Sequence, residues 1–97
     1  MNVSKSPLIS IITVSYNAVK VIEQTISSVV NLNFDDYEYI IVDGGSTDGT
    51  IDVIKNYKDK ITQWISEPDK GIYDAMNKGA YIAKGEYLIY INAGDQI

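Results

Sequence analysis

The side chains in this sequence with chemistry to offer are acids and amides at the ends of apolar runs. Asp43 closes one such run and opens the loop Asp43-Gly-Gly-Ser-Thr-Asp-Gly-Thr50. Its glycines allow left-handed turns and let a ligand come close to the backbone. Asn92 and Asp95 follow the last apolar run, three residues apart. A carboxylate with an amide oxygen nearby suits a hard divalent cation, which takes oxygen ligands and shares them with substrate phosphates. Ser15, Tyr16 and Asn17 leave the first run with an aromatic face able to stack on a base and two hydrogen-bonding neighbours. Plainer readings stand beside these. Asp48 or Ser46 can cap a following helix, Asn-Ala-Gly-Asp suits a turn, and Asp69 and Asp74 favour the dipole at the start of a third helix.

Composition narrows the chemistry further. The 97 residues contain no His and no Cys, so any acid, base or metal ligand is a carboxylate or a weaker oxygen donor. Disulfides, thiolate nucleophiles, zinc fingers and Ser-His-Asp triads are excluded. The glycine loop is not a Walker sequence, because no Gly-Lys-Ser/Thr follows, and it is not the dinucleotide fingerprint, because it follows the second apolar run and not the first. Eight basic residues against thirteen acidic ones give a net charge of −5, with the basic residues scattered, which argues against a nucleic-acid partner.

Four runs rich in β-branched and aromatic residues, at 8–16, 37–42, 61–65 and 87–91, must position these groups. Between them lie segments with helical spacing. Ile22, Ile26, Val29 and Val30 share one stripe of a helix over 19–32, and Ile51 and Ile54 face inward from a helix over 50–57. Ile72, Ala75, Met76, Gly79, Ala80 and Ala83 mark the third, whose small residues suggest close packing on a sheet. Nearly continuous apolar runs fit parallel strands covered on both faces. The expected fold is α/β, a single domain forming a Rossmann-like three-layer sandwich around a mainly parallel sheet of order 3-2-1-4. In such sheets ligands bind beyond the carboxyl ends of the strands. The loops after the first, second and fourth strands then line one crevice. No run reaches the roughly 18 apolar residues of a membrane span, and the first residues do not form a signal peptide. The expected location is the cytoplasm or the inner face of the membrane.

Taken in order, four segments resemble the N-terminal part of family 2 glycosyltransferases. They are residues 7–17, 40–50, 66–79 and 85–95, which include Val14-Ser-Tyr-Asn17, Ile41-Val-Asp-Gly-Gly-Ser-Thr-Asp-Gly-Thr50, Pro68-Asp-Lys-Gly-Ile-Tyr-Asp-Ala-Met-Asn-Lys-Gly79 and Ile91-Asn-Ala-Gly-Asp95. The resemblance implies the GT-A fold, a nucleotide-diphosphate sugar donor, a divalent metal (Mn or Mg) and inverting transfer to a saccharide or lipid-linked acceptor in surface polysaccharide synthesis. By motif position, Ser15 and Tyr16 would line the nucleotide pocket and Asp43 would face base and ribose. Asn17, Gly44, Gly45, Asp74 and Asp95 complete the nucleotide-binding candidates, and Asp95 with Asn92 forms the metal pair. Gly44 stands where many relatives carry a second Asp, and Met76 where many carry Arg, with Lys70 as a possible substitute charge. The usual Asp-x-Asp metal motif reads Asn92-Ala-Gly-Asp95. No residue matches the family's catalytic base, which lies beyond the portion these residues resemble, so the expectation is a truncated donor half-site that does not turn over alone.

A non-enzymatic nucleotide-binding or assembly module on the same half-fold is the alternative. A phosphoacceptor signalling domain fits less well, because the first strand lacks an acidic pair and no later strand ends in Lys. The last strand carries neither charge nor Pro to protect an open edge, and a homo-oligomer is expected.

Overall fold

Both faces of the two central strands are apolar, and both are covered. The computed structural model describes residues 7–93. Strands β1 (Ile9–Ser15) and β2 (Tyr37–Asp43) run parallel, in register from Ile9 opposite Tyr37 to Ser15 opposite Asp43. Strand β3 (Gln63–Ser66) joins β2 and strand β4 (Tyr87–Tyr90) joins β1, both parallel, so the sheet has the expected order β3-β2-β1-β4.

Side chains alternate across a strand, which sends Ile11, Tyr39 and Ile41 to one face and Ile12, Val14, Ile40 and Val42 to the other. The first set packs on Ile22, Ile26 and Val29 of α1 (Ile22–Val30) and on Ile54 of α2 (Thr50–Asn56). The second packs on α3 (Ile72–Ile82), chiefly at Ala75. Each fully buried Ile or Val contributes roughly 1.5–3 kcal/mol, and these two clusters make the three layers. Helix α3 comes so close to β1 that a Cβ on Gly79 would lie 2.6 Å from Ile12 Cγ2. The buried Tyr39 hydroxyl shares a 2.7 Å hydrogen bond with Thr13, and burial pushes its pKa up to about 12.

Several boundaries differ from the periodicity. Helix α1 begins at Ile22 and not at 19, because the backbone N–H groups of Ala18 and Val19 donate to Thr50 Oγ1 (2.9 Å) and Asp48 Oδ2 (3.2 Å), which pins the segment against the glycine loop. In α2 it is Thr50 and Ile54 that are buried, one turn apart, while Ile51 is half-buried. Residue Gly49 is the N-cap of α2, and Asp48 accepts the Thr50 N–H (3.1 Å) from one position earlier. Strand β3 starts two residues late, since Ile61 drops into the α1/α2 cluster before the strand forms. A short 3-10 turn, Lys58–Lys60, precedes it. Ile72 turns outward.

At the amino ends of the strands, buried Glu38 accepts hydrogen bonds from Ser10 Oγ and from Lys84 N (2.6 Å), while Gly85 N donates to Ser10 Oγ (2.8 Å). This ties the end of α3 to the two central strands. Among the described residues no helix is long and apolar enough to cross a membrane.

Candidate functional site

Ser15, Asp43 and Ser66 end three adjacent strands and stand in register. Ser15 Oγ donates to Asp43 Oδ1 at 2.7 Å and Ser66 Oγ to Oδ2 at 2.8 Å. Ser46 adds its hydroxyl to Oδ1 (2.6 Å) and its N–H to Oδ2 (2.8 Å), and Gly45 N donates to Oδ2 at 3.1 Å. The φ of 88° at Gly45 lets two successive N–H groups reach the same carboxylate. Burial alone would raise the pKa of Asp43. The hydrogen bonds from Ser46, Ser15 and Ser66 outweigh it and hold the carboxyl below its ordinary value.

The sequence expectation for Asp43 is that it faces base and ribose; here its carboxylate is engaged by the glycine loop and the neighbouring strand ends. It is 0% exposed, and it shares the parity of Tyr39 and Ile41, so it points toward the α1/α2 layer and anchors the glycine loop. Asn17, at φ 47°, is likewise committed to that loop. Its N–H donates to Ser46 Oγ (2.7 Å) and its Oδ1 accepts from Thr47 N (2.8 Å). The turn thereby leaves Tyr16 66% exposed.

Beside this anchor a cavity of about 580 Å³ opens at the carboxyl ends of β1, β2 and β4. Ser15 and Tyr16 reach it from β1, Gly44 from β2, and Asn92 and Ala93 from beyond β4. Ile72 and Ala75 of α3 form part of the wall, and the β3–α3 loop contributes Pro68, Asp69 and Gly71. The structure thus brings together Ser15, Tyr16, Gly44 and Asn92 of the candidates. Asp43, Asn17, Gly45 and Asp74 do not line the cavity, and Asp95 lies outside the described residues. Asp74 instead accepts the Lys70 N–H at 2.9 Å and sits 3.7 Å from Lys78 Nζ.

The sequence expectation puts three loops at the crevice and leaves out the one after β3, which also lines it. That loop reaches across because residues 44 and 45 have no side chains. A Cβ on Gly45 would meet Pro68 N at 3.3 Å, and one on Gly44 would meet the Asp69 carboxylate. The glycine pair was the available signal for this approach. The sequence pattern marks Asp69 only as an acid near a helix start and places Ile72 inward, whereas Ile72 is 46% exposed at the mouth.

The cavity is therefore largely apolar, with an exposed aromatic ring, one carboxylate and one amide, and no lysine among its described lining residues. A cavity of this kind takes a ring system and satisfies its hydrogen-bond donors. Among the described residues no three His, Cys, Asp or Glu side chains converge on a point. Asn92 and Asp69 alone do not make a divalent-metal site, which ordinarily needs several oxygen ligands.

Comparison with known proteins agrees with this architecture. A family model described as glycosyl transferase family 2 matches residues 10–97. A PGL/p-HBAD biosynthesis glycosyltransferase of Mycobacterium tuberculosis is 33% identical over 95 residues, covering 95% of this chain and 37% of that protein. The putative teichuronic acid biosynthesis glycosyltransferase TuaG of Bacillus subtilis is 40% identical over 94 residues, covering 93% and 37%. The chain thus spans little more than a third of the length of these relatives. Among solved structures, S. aureus TarS 1-349 in complex with UDP-GlcNAc superimposes with a TM-score of 0.86 at 25% identity, over 93% of this chain and 27% of that one. The mannosyltransferase PcManGT of Pyrobaculum calidifontis, in complex with GDP-Man and Mn2+, shares the fold with a TM-score of 0.82 at 23% identity, over 94% and 28%. The sheet and its helices are the Rossmann-like half of the GT-A arrangement. A match that runs from β1 to the last residue, carried on a fold shared with solved glycosyltransferases, means that the chain belongs to glycosyl transferase family 2.

Proposed function

We propose that this chain is the donor-binding part of a glycosyltransferase and holds a nucleoside-diphosphate sugar in the cavity at the ends of β1, β2 and β4. The observation that carries the reading is that cavity, about 580 Å³ and placed at the carboxyl edge of a parallel sheet, with the Tyr16 ring exposed beside it. Ser15, Tyr16 and Gly44 would line the nucleotide, with the Asp43 network holding their loops in place. A divalent cation, manganese or magnesium, belongs to the reading with Asp95 and Asn92 as its ligands on this chain. PcManGT in complex with GDP-Man and Mn2+ supports that part by analogy. Transfer would invert the anomeric carbon. It requires a carboxylate to deprotonate the hydroxyl of a saccharide or lipid-linked acceptor, and none of these residues matches that base. The chain alone should therefore bind donor without transferring sugar, in the cytoplasm or at the inner face of the membrane.

Calorimetric titration with UDP, GDP and dTDP, with and without manganese, tests the reading. Saturable binding of one of them is the expected result. Binding of none would overturn it in favour of an assembly module without a nucleotide.

A further inference from the structure

The cavity lining holds a single carboxylate among the described residues, and it comes from the β3–α3 loop. Asp69 lies over the bare backbone of Gly44, where a Cβ would sit 2.8 Å from its Oδ2 and 3.2 Å from its Cγ. Real Cβ atoms do not approach a carboxylate so closely. Any side chain at position 44 and the present position of the Asp69 carboxylate therefore exclude one another. The chain keeps one acid at this point of the cavity and delivers it from the β3–α3 loop and not from the end of β2.

The loop is built to hold that acid still. Lys78 Nζ on α3 donates to the Pro68 carbonyl at 3.2 Å and pairs with Glu67 at 3.1 Å. Asp74 takes the Lys70 N–H, and Glu67 N donates to the Asp43 carbonyl at 3.0 Å, so the loop is fastened to α3 on one side and to β2 on the other. Asp69 Oδ1 accepts the Gly71 N–H at 3.0 Å, which orients the carboxyl group. Oδ2 accepts no hydrogen bond from any described residue.

We propose that Asp69 determines nucleotide specificity, its Oδ2 accepting an N–H or O–H donor of the nucleoside, and that residue 44 is glycine to leave that carboxylate its place. The inference rests on the donor-binding reading above and adds the residue and the part of the ligand it meets. An ionised carboxylate only accepts hydrogen bonds. With no lysine among the described lining residues, it repels a diphosphate. The part of the donor over Gly44 is thus the nucleoside, with a base N–H or a ribose hydroxyl turned down toward Asp69.

Calorimetry on the 97-residue chain tests this with UDP, GDP, 2′-deoxyuridine diphosphate and inorganic diphosphate as probes. Asp69→Asn keeps the shape and removes the charge, and circular dichroism checks that each variant stays folded. The nucleotide that the unaltered chain binds should lose about tenfold or more in affinity in Asp69→Asn, while inorganic diphosphate binds as well as before or better. Gly44→Ala should weaken the same nucleotide, and adding it to Asp69→Ala should cost little more, since both act on one contact. Where UDP is the nucleotide bound, 2′-deoxyuridine diphosphate that binds the unaltered chain as weakly as UDP binds Asp69→Asn identifies the ribose 2′-hydroxyl as the donor; if it binds like UDP, the donor is a base N–H or the 3′-hydroxyl. Undiminished nucleotide binding by folded Asp69→Asn, or an equal loss for inorganic diphosphate, would overturn the inference and leave the donor-binding reading standing. Failure of the unaltered chain to bind any of the nucleotides would overturn that reading itself.

Discussion

Asp43 accepts hydrogen bonds from three serines and a glycine amide while sealed from water, so the charge on this group and the shape of the glycine loop depend on each other. Its folded-state pKa lies below the ordinary value of 3.8. The stability it contributes is therefore complete above that value and is lost as the pH falls through the lower folded-state one. Urea midpoints should drop on acidification below about pH 4, and Asp43→Asn should show a smaller drop. At neutral pH Asp43→Ala should cost about 3 kcal/mol, because several buried donors lose their acceptor together. A loss under about 1 kcal/mol would mean that water replaces the carboxylate. That an acid ended β2 was plain from the sequence. Its partners were not evident, because Ser15, Ser46 and Ser66 converge only once the strands are in register. A second residue-level prediction concerns the metal. Asp95→Ala should abolish the manganese dependence of nucleotide binding and Asn92→Ala should only weaken it, since the carboxylate brings charge and the amide a dipole. Equal manganese dependence in Asp95→Ala and the unaltered chain would remove Asp95 from the proposal.

Helix α3 shows how a small residue can matter more than a large one. In an ordinary helix interior, Gly→Ala gains roughly 0.8–1 kcal/mol from propensity. At Gly79 the added methyl would meet Ile12 Cγ2 at 2.6 Å in a fully packed layer. Overpacking of this kind costs about 1–3 kcal/mol, so Gly79→Ala should lower the thermal midpoint where propensity alone would raise it. An unchanged or raised midpoint would show that α3 slides away from the sheet. The apolar spacing made α3, α1 and the strands readable, since each pattern carries its own period. The ends of the elements were less so. Where α1 begins depends on Thr50 and Asp48 claiming the N–H groups of Ala18 and Val19 from a distant loop, which no local pattern encodes.

Across the whole molecule the sheet is open on its β4 side, where among the described residues only β1 pairs with it. Tyr87 is 64% exposed, and Leu88 and Ile89 are exposed beside it, without a charge or Pro along the strand. Such an edge templates pairing with a second copy. We expect the purified chain to self-associate at high concentration and Ile89→Lys to reduce this, as measured by light scattering. A stable 10.8 kDa monomer across the concentration range would refute it. The order of the strands followed from the apolar runs and the glycine loop, but those runs say little about alignment. Ile-Ile-Thr-Val on β1 beside Tyr-Ile-Ile-Val on β2 would bury about as well if one strand slipped by two residues, since the same faces would still meet. The two buried acids remove that degeneracy. Glu38 opposite Ser10 and Asp43 opposite Ser15 are satisfied together in one alignment. A slip by two residues would set Glu38 against Leu8 or Ile12, neither of which can donate, even where Asp43 met Thr13 or Asn17. The pair thus acts as a vernier at the two ends of the central strands, selecting one alignment from several of similar hydrophobic energy.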